Sequence, residues 1–226
     1  MALATILLLV AASSPAKTYS MRLNLHQGQT FSYKLLVQRD KPKTSAEFTN
    51  TFKISKVDGN TIYMDGKFAK LKIDNKDRTK DLKAVVGDGV VTWPWTIYSR
   101  RTGSVGHIPI HEGKPDVMTC LAETGIYLAY FQRQDVKPGD SWTGSTTATG
   151  GCTSGKFNFK EVKSVGGKQL AVFEVTNIMF LRPQDEQVGP MKMVVDLASG
   201  LPTTVDYKVK DGKTGQISHF VQTRVS

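Results

Sequence analysis

The sequence predicts a mainly β protein: a curved antiparallel sheet or open half-barrel with one or two helices, the central one near residues 115–131. Three observations carry this. Apolar residues recur at every second position over most of the chain, Gly-containing turn signals follow at short intervals, and a single segment has clear helical spacing. A hydrophobic content of 39% over 226 residues is enough to bury a core, which excludes a disordered chain.

The chain opens with an apolar run, Leu3 to Ala12, followed by Ser13-Ser14-Pro15-Ala16, which places small residues at the third and first positions before a cut ahead of Lys17. About ten apolar residues cannot span a hydrocarbon core that needs about 20, so residues 1–16 are read as a cleaved signal peptide, although no Lys or Arg precedes the run. No later segment is apolar enough to cross a membrane, and no Cys follows the run to accept a lipid. The expectation is a soluble extracytoplasmic protein, periplasmic or secreted, without a lipid anchor. Residues 17–226 then form a single β-rich domain, with the alternative of two tandem meander halves, 17–111 and 136–226, joined by a helical segment, 112–135.

Phe31, Tyr33, Leu35 and Val37 alternate with polar residues, as a half-buried strand requires, and Arg39 to Ser45 reads as a turn-rich loop. Phe48, Phe52 and Ile54 resume the alternation. Asp58-Gly59 and Asp65-Gly66 read as hairpin turns that separate Ile62 to Met64 from Phe68 to Ile73. After polar Asp74 to Lys80 come Val85-Val86, a Gly87-Asp88-Gly89 turn and Trp93-Pro94-Trp95. Pro115 and Asp116 suit a first helical turn, with Val117, Met118, Leu121 and Ala122 at helical spacing. Beyond Lys137-Pro138-Gly139-Asp140 the alternation returns through Trp142, Phe157 and Phe159. The run Leu170 to Leu181 is apolar on both of its faces and predicts a strand covered on both sides. Strands around Met191, Val205 and Phe220 end the chain as a meander. Gly28-Gln29-Thr30-Phe31 has a loose echo in Gly139-Asp140-Ser141-Trp142, each ahead of a second hairpin signal.

The formal charge of +10 is spread singly, as in Lys67, Lys70 and Lys72, which is how solvated strand faces look; it argues against a specific nucleic-acid surface and leaves attraction to an anionic envelope polymer open. Cys120 and Cys152, in an exported chain, are either a disulfide or two buried thiols. Catalytic signatures are missing: Gly103-Ser104-Val105-Gly106 lacks nucleophile-elbow spacing, and Pro109 disfavours the helix that would bring His107 and His111 together on a metal. No phosphate loop or dinucleotide fingerprint occurs, so no cofactor, metal or catalytic residue is expected. Trp93 and Trp95 share one side of an extended segment, where they either stack on a ligand or cap the core.

The stretches Leu23 to Phe31, Val136 to Trp142 and Val195 to Pro202, in that order, resemble landmarks of a family of uncharacterised exported bacterial proteins known as a domain of unknown function. More remotely, a sheet, a central helix and a returning sheet are similar to the lipoprotein-carrier (LolA-like) half-barrels. That similarity implies an apolar concave face covered by helices, on which Val117, Leu121, Tyr127 and Phe131 would face a lipid or other hydrophobic molecule, while Trp93 and Trp95 are candidates to face a sugar or a base. Three functions compete: a non-enzymatic binding protein for such a ligand, an envelope interaction protein engaging anionic polymers, and a hydrolase whose site has no recognisable motif.

Overall fold

In a computed structural model, residues 17–59, 61–80, 93–97, 135–145, 152–180 and 184–226 are described. Two long meanders, one from each end of the chain, form one sheet. The first contains β2 (Thr30–Asp40), β3 (Lys43–Asp58) and β4 (Thr61–Ile73), flanked by β5 (Lys76–Asp77) and β6 (Trp93–Ile97). The second contains β8 (Ser141–Ser145), β9 (Cys152–Val165), β10 (Lys168–Phe180), β12 (Met191–Asp196), β13 (Pro202–Lys210) and β14 (Ile217–Arg224), with β11 (Glu186–Gln187) against β13. All pairs are antiparallel, in the order β5-β4-β3-β2-β14-β13-β12-β10-β9-β8, and the path is open. The decisive join is between first and last long strands: β14 pairs with β2 from Ser218↔Arg39 to Arg224↔Tyr33.

Period-two alternation gives this sheet one apolar face. Phe31, Tyr33, Leu35 and Val37 of β2, Val205, Tyr207 and Val209 of β13, Met191, Met193 and Val195 of β12, and Ala171, Phe173 and Val175 of β10 are all at most 9% exposed. The opposite face alternates Lys, Glu, Thr and half-buried aliphatics.

Three sequence expectations are corrected. Arg39 to Ser45 is no loop: the ladder continues through Arg39↔Thr44 and Asp40↔Lys43, leaving only Lys41-Pro42 to turn. Asp65-Gly66 is no turn either, because β4 runs through it, held by β3 at Lys53 and Phe52 and by β6 at Pro94 and Trp93. The run after Leu170 is buried on one side only. Leu170 and Val172 are half-buried, and at Asn177 (φ 53°) the register slips, so Phe180 turns inward while Met179 is 64% exposed.

The turns ahead of β2 and β8 are built from the same bonds. The Gly28 N–H donates to the Ile54 carbonyl (2.8 Å) and the Ile54 N–H to that of Gln29 (2.9 Å). Likewise Gly139 donates to Phe159 (2.8 Å) and Phe159 to Asp140 (2.9 Å). Both glycines have positive φ, +83° and +95°. In each unit the next inward pair stacks: Phe31 on Phe52 at 5.6 Å and Trp142 on Phe157 at 5.7 Å.

A strap formed by Tyr19 to Gly28 crosses the end of the apolar face. It starts in β1 (Tyr19–Ser20), paired with β7 (Asp135–Val136), where Tyr19 meets Phe159 edge-on at 6.0 Å. It ends where Leu23 and Leu25 pack with Ile54, Ile62 and Met64. From β9 to β3 is six strand steps, about 29 Å, and the nine residues from Tyr19 reach about 30 Å when extended.

Candidate functional site

The sequence pointed first to the apolar face. Six of its described side chains, Leu25, Ile54, Ile62, Met64, Phe157 and Phe173, are 0% exposed, so these contact neither solvent nor a void that could hold water. Val117, Leu121, Tyr127 and Phe131, the helix expected over 115–131, Cys120, His107 and His111 lie outside the described residues, as does the signal peptide expected over 1–16. Trp93 and Trp95 fall in β6, whose register sets them opposite Gly66 and Met64 of β4; Cys152 opens β9 opposite Phe180.

Where the two meanders join, the landmark Val195 to Pro202 has a structural role. Asp196 accepts hydrogen bonds from the Ala198 N–H (3.0 Å), the Ser199 hydroxyl (3.1 Å) and Arg224 Nη2 (2.9 Å). Burial opposes the Asp196 charge, but the Arg224 hydrogen bond and those from Ala198 and Ser199 outweigh it and hold the carboxyl below its ordinary range. Beside it the buried Tyr33 hydroxyl donates to the Pro202 carbonyl (2.7 Å), and burial pushes its titration well above the usual range. This cluster ties β2, β12, β13 and β14 together. It is a clamp, with every polar group engaged.

The opposite end of the same strands is different. An open cleft of about 640 Å³ is lined by Gln38, Arg39, Asp40, Lys43, Thr44, Ser45, Asp74, Asn75, Val188, Lys208, Ile217 and His219. Its floor is a row across four strands, Lys208↔His219↔Gln38↔Ser45, on the polar face of the sheet. Its rim comprises the β2–β3 turn, the Asp74-Asn75 turn, both in left-handed conformation, and Val188, whose N–H donates to the Lys208 carbonyl (3.0 Å). Two carboxylates are partly committed: Asp40 Oδ1 accepts the Ile217 N–H (2.9 Å), and Asp74 Oδ1 accepts the Ser45 N–H (2.7 Å). Arg39, Lys43 and Lys208 have no ion pair among the described residues.

His219 Nε2 lies 2.8 Å from Asp206 Oδ1, the base-and-orienter half of a hydrolase triad. No hydroxyl group completes it among the described residues, where Asp206 is the side-chain partner of His219. Nor does any group of three or more His, Cys, Asp or Glu among the described residues suit a metal ion.

Along the rest of the polar face many lysines are paired: Lys34 (2.6 Å) and Lys72 (3.8 Å) with Glu47, Lys160 with Glu174 (3.2 Å), and Lys163 with Glu161 (3.0 Å). The hydrogen bond from Lys34 leads the effects that lower the Glu47 pKa. Lys53, Lys70, Lys156 and Lys192 have no ion pair among the described residues. The face therefore keeps a cationic surplus.

No protein-family model matches the chain, and no curated protein matches it. Among solved structures it is similar to MucB in complex with MucA(peri), at 12% identity and a TM-score of 0.32, covering 86% of this chain and 48% of that one. It is also similar to the hypothetical lipoprotein YmcC from Escherichia coli (12% identity, TM-score 0.27, covering 90% of this chain and 92% of that one). A third is a DUF1329 family protein from Desulfovibrio piger, at 10% identity and a TM-score of 0.22, with coverage of 86% and 82%. The chain spans about half the length of MucB. No helix among the described residues is long and apolar enough to cross a membrane.

Proposed function

We propose that this chain is an exported, non-enzymatic binding protein of the cell envelope that engages an anionic polymer through the polar face of its sheet. One observation carries the reading: the cationic surplus lies on the open, polar face of the sheet, while the described inward side chains of the apolar face are at most 9% exposed in the core strands β2, β10, β12 and β13. A lipid carrier needs free apolar space against its sheet, whereas Leu25, Ile54, Ile62, Met64, Phe157 and Phe173 on that face are 0% exposed. The hydrophobic-ligand reading therefore ranks second. The formal charge of +10 survives removal of residues 1–16, which have no ionisable side chain, so the proposed mature form retains the full attraction.

The test is retention on immobilised dextran sulfate. At 10 mM salt, where the Debye length is about 30 Å, the protein is retained; at 1 M, where it is about 3 Å, it elutes completely. Failure to bind at 10 mM, or retention that persists at 1 M, would sink the mechanism.

A further inference from the structure

The cleft at the β2–β3 turn gathers more chemistry than a solvated strand end requires. It assembles only through the β14–β2 and β13–β14 pairings, from residues as far apart in sequence as Gln38, Asp74, Val188 and Lys208. Its cations, Arg39, Lys43 and Lys208, stand on different strands around one opening, with no carboxylate closing any of them into an ion pair among the described residues. The two carboxylates of the lining face the same space, and each has one oxygen tied to a backbone N–H, which leaves its Oδ2 as an acceptor. The side chains of Gln38, Thr44 and Asn75 add uncommitted amide and hydroxyl groups, and Ile217 and Val188 add a small apolar wall.

We infer that this cleft binds a hydroxyl-bearing anion, an acidic or phosphorylated sugar unit. The cations suit the carboxylate or phosphate, and the remaining carboxylate oxygens and the amides suit the ring hydroxyls. A bare anion would gain from Arg39, Lys43 and Lys208 but meet the charges of Asp40 and Asp74; a neutral sugar would leave the cations unused. A volume of about 640 Å³ lies within the range of small-molecule sites and holds more than one sugar ring. The inference rests on the polyanion reading and deepens it, because the cleft would read the repeating unit of a polymer that the wider face attracts.

Titration of the isotopically labelled protein at low ionic strength, followed by backbone amide shifts, tests this with four probes: glucose 6-phosphate, glucuronate, glucose and inorganic phosphate. The expected result is saturable shifts over Gln38 to Ser45, Asp74, Asn75, Lys208 and His219 with either of the first two probes, and none with glucose. Inorganic phosphate should bind at least about fivefold more weakly, because it forgoes the hydroxyl contacts. Lys43→Gln with Lys208→Gln should weaken glucose 6-phosphate binding about tenfold, while Lys53→Gln with Lys156→Gln, remote from the cleft, leaves it unchanged. Equal binding of inorganic phosphate, shifts spread evenly over the polar face, or equal effects of the two double variants would each overturn the proposal. If dextran sulfate is retained in a salt-dependent way but neither sugar acid binds, the cleft proposal fails and the broader reading stands. If neither binds, both fail.

Discussion

Gly200 is where the strap and the two meanders are wedged together, and replacing it with Ala should show how much that contact contributes. Its φ is +72°, and a Cβ there would sit 2.0 Å from the Arg22 carbonyl oxygen and 2.7 Å from the Arg22 carbonyl carbon. Both are backbone atoms, so no side chain can swing aside. The left-handed conformation alone costs a non-Gly residue about 1–2 kcal/mol. Relieving the clash moves the strap, which loses the bond from the Asn24 N–H to the Ser199 carbonyl (2.9 Å), a net contribution of about 1 kcal/mol. Partial lifting of Leu23, 4% exposed, and Leu25, 0% exposed, adds about 1 kcal/mol more. The sum is about 3–4 kcal/mol. Gly28 supplies the control: its φ is +83° but nothing lies within 4 Å of an added Cβ, so Gly28→Ala should cost only the conformational part, about 1–2 kcal/mol. Urea denaturation of both variants should therefore separate them by about 2 kcal/mol at an unchanged slope, the unchanged slope marking a shift in stability alone. Equal losses in the two variants would refute the wedge.

Asp196→Asn removes one partner of a pair whose side chains are 8% and 13% exposed, and should cost about 2–3 kcal/mol at pH 7. Because the folded carboxyl is held below its unfolded value, its contribution is present above about pH 4 and fades as pH falls through the lower folded value, so the variant's deficit should shrink in denaturation curves at pH 2–3. A deficit that is the same at both pH values would contradict this assignment. Tyr33→Phe leaves the Pro202 carbonyl without its 2.7 Å donor and should lose about 1–2 kcal/mol by the same assay. Phe157→Ala, at a 0% exposed position stacked on Trp142, should lose about 3–5 kcal/mol, seen as a lower urea midpoint. Glu47→Gln, on the solvated face, should change stability by less than about 1 kcal/mol at low salt and by nothing measurable at 1 M.

Strand positions and inward residues were legible because alternation is local: Phe31, Tyr33, Leu35 and Val37, or Val205, Tyr207 and Val209, declare a buried face whatever pairs with them. The turn at Gly139 was legible for the same reason, since positive φ is a demand made within four residues. Local signals failed where a neighbouring strand overrode them. Asp65-Gly66 carries a hairpin signature yet lies in mid-strand, because ladders with β3 and β6 on either side satisfy more backbone bonds than a turn there would. The cleft was illegible altogether. Lys208, His219, Gln38 and Ser45 each read as an isolated polar residue, and only the pairing of β14 with β2 sets them in one row.

The sequence by itself determined that this protein is an antiparallel sheet with one apolar face and a surplus of dispersed positive charge, because periodicity, turn chemistry and composition are read residue by residue. Tertiary structure alone decided that the two meanders share one sheet, that Gly200 serves close approach as well as turn geometry, and that cations with no ion pair among the described residues meet around one opening. Each of these depends on which segments become neighbours across a hundred or more residues, and the burial that selects those neighbours is spread over many side chains rather than written in any one motif.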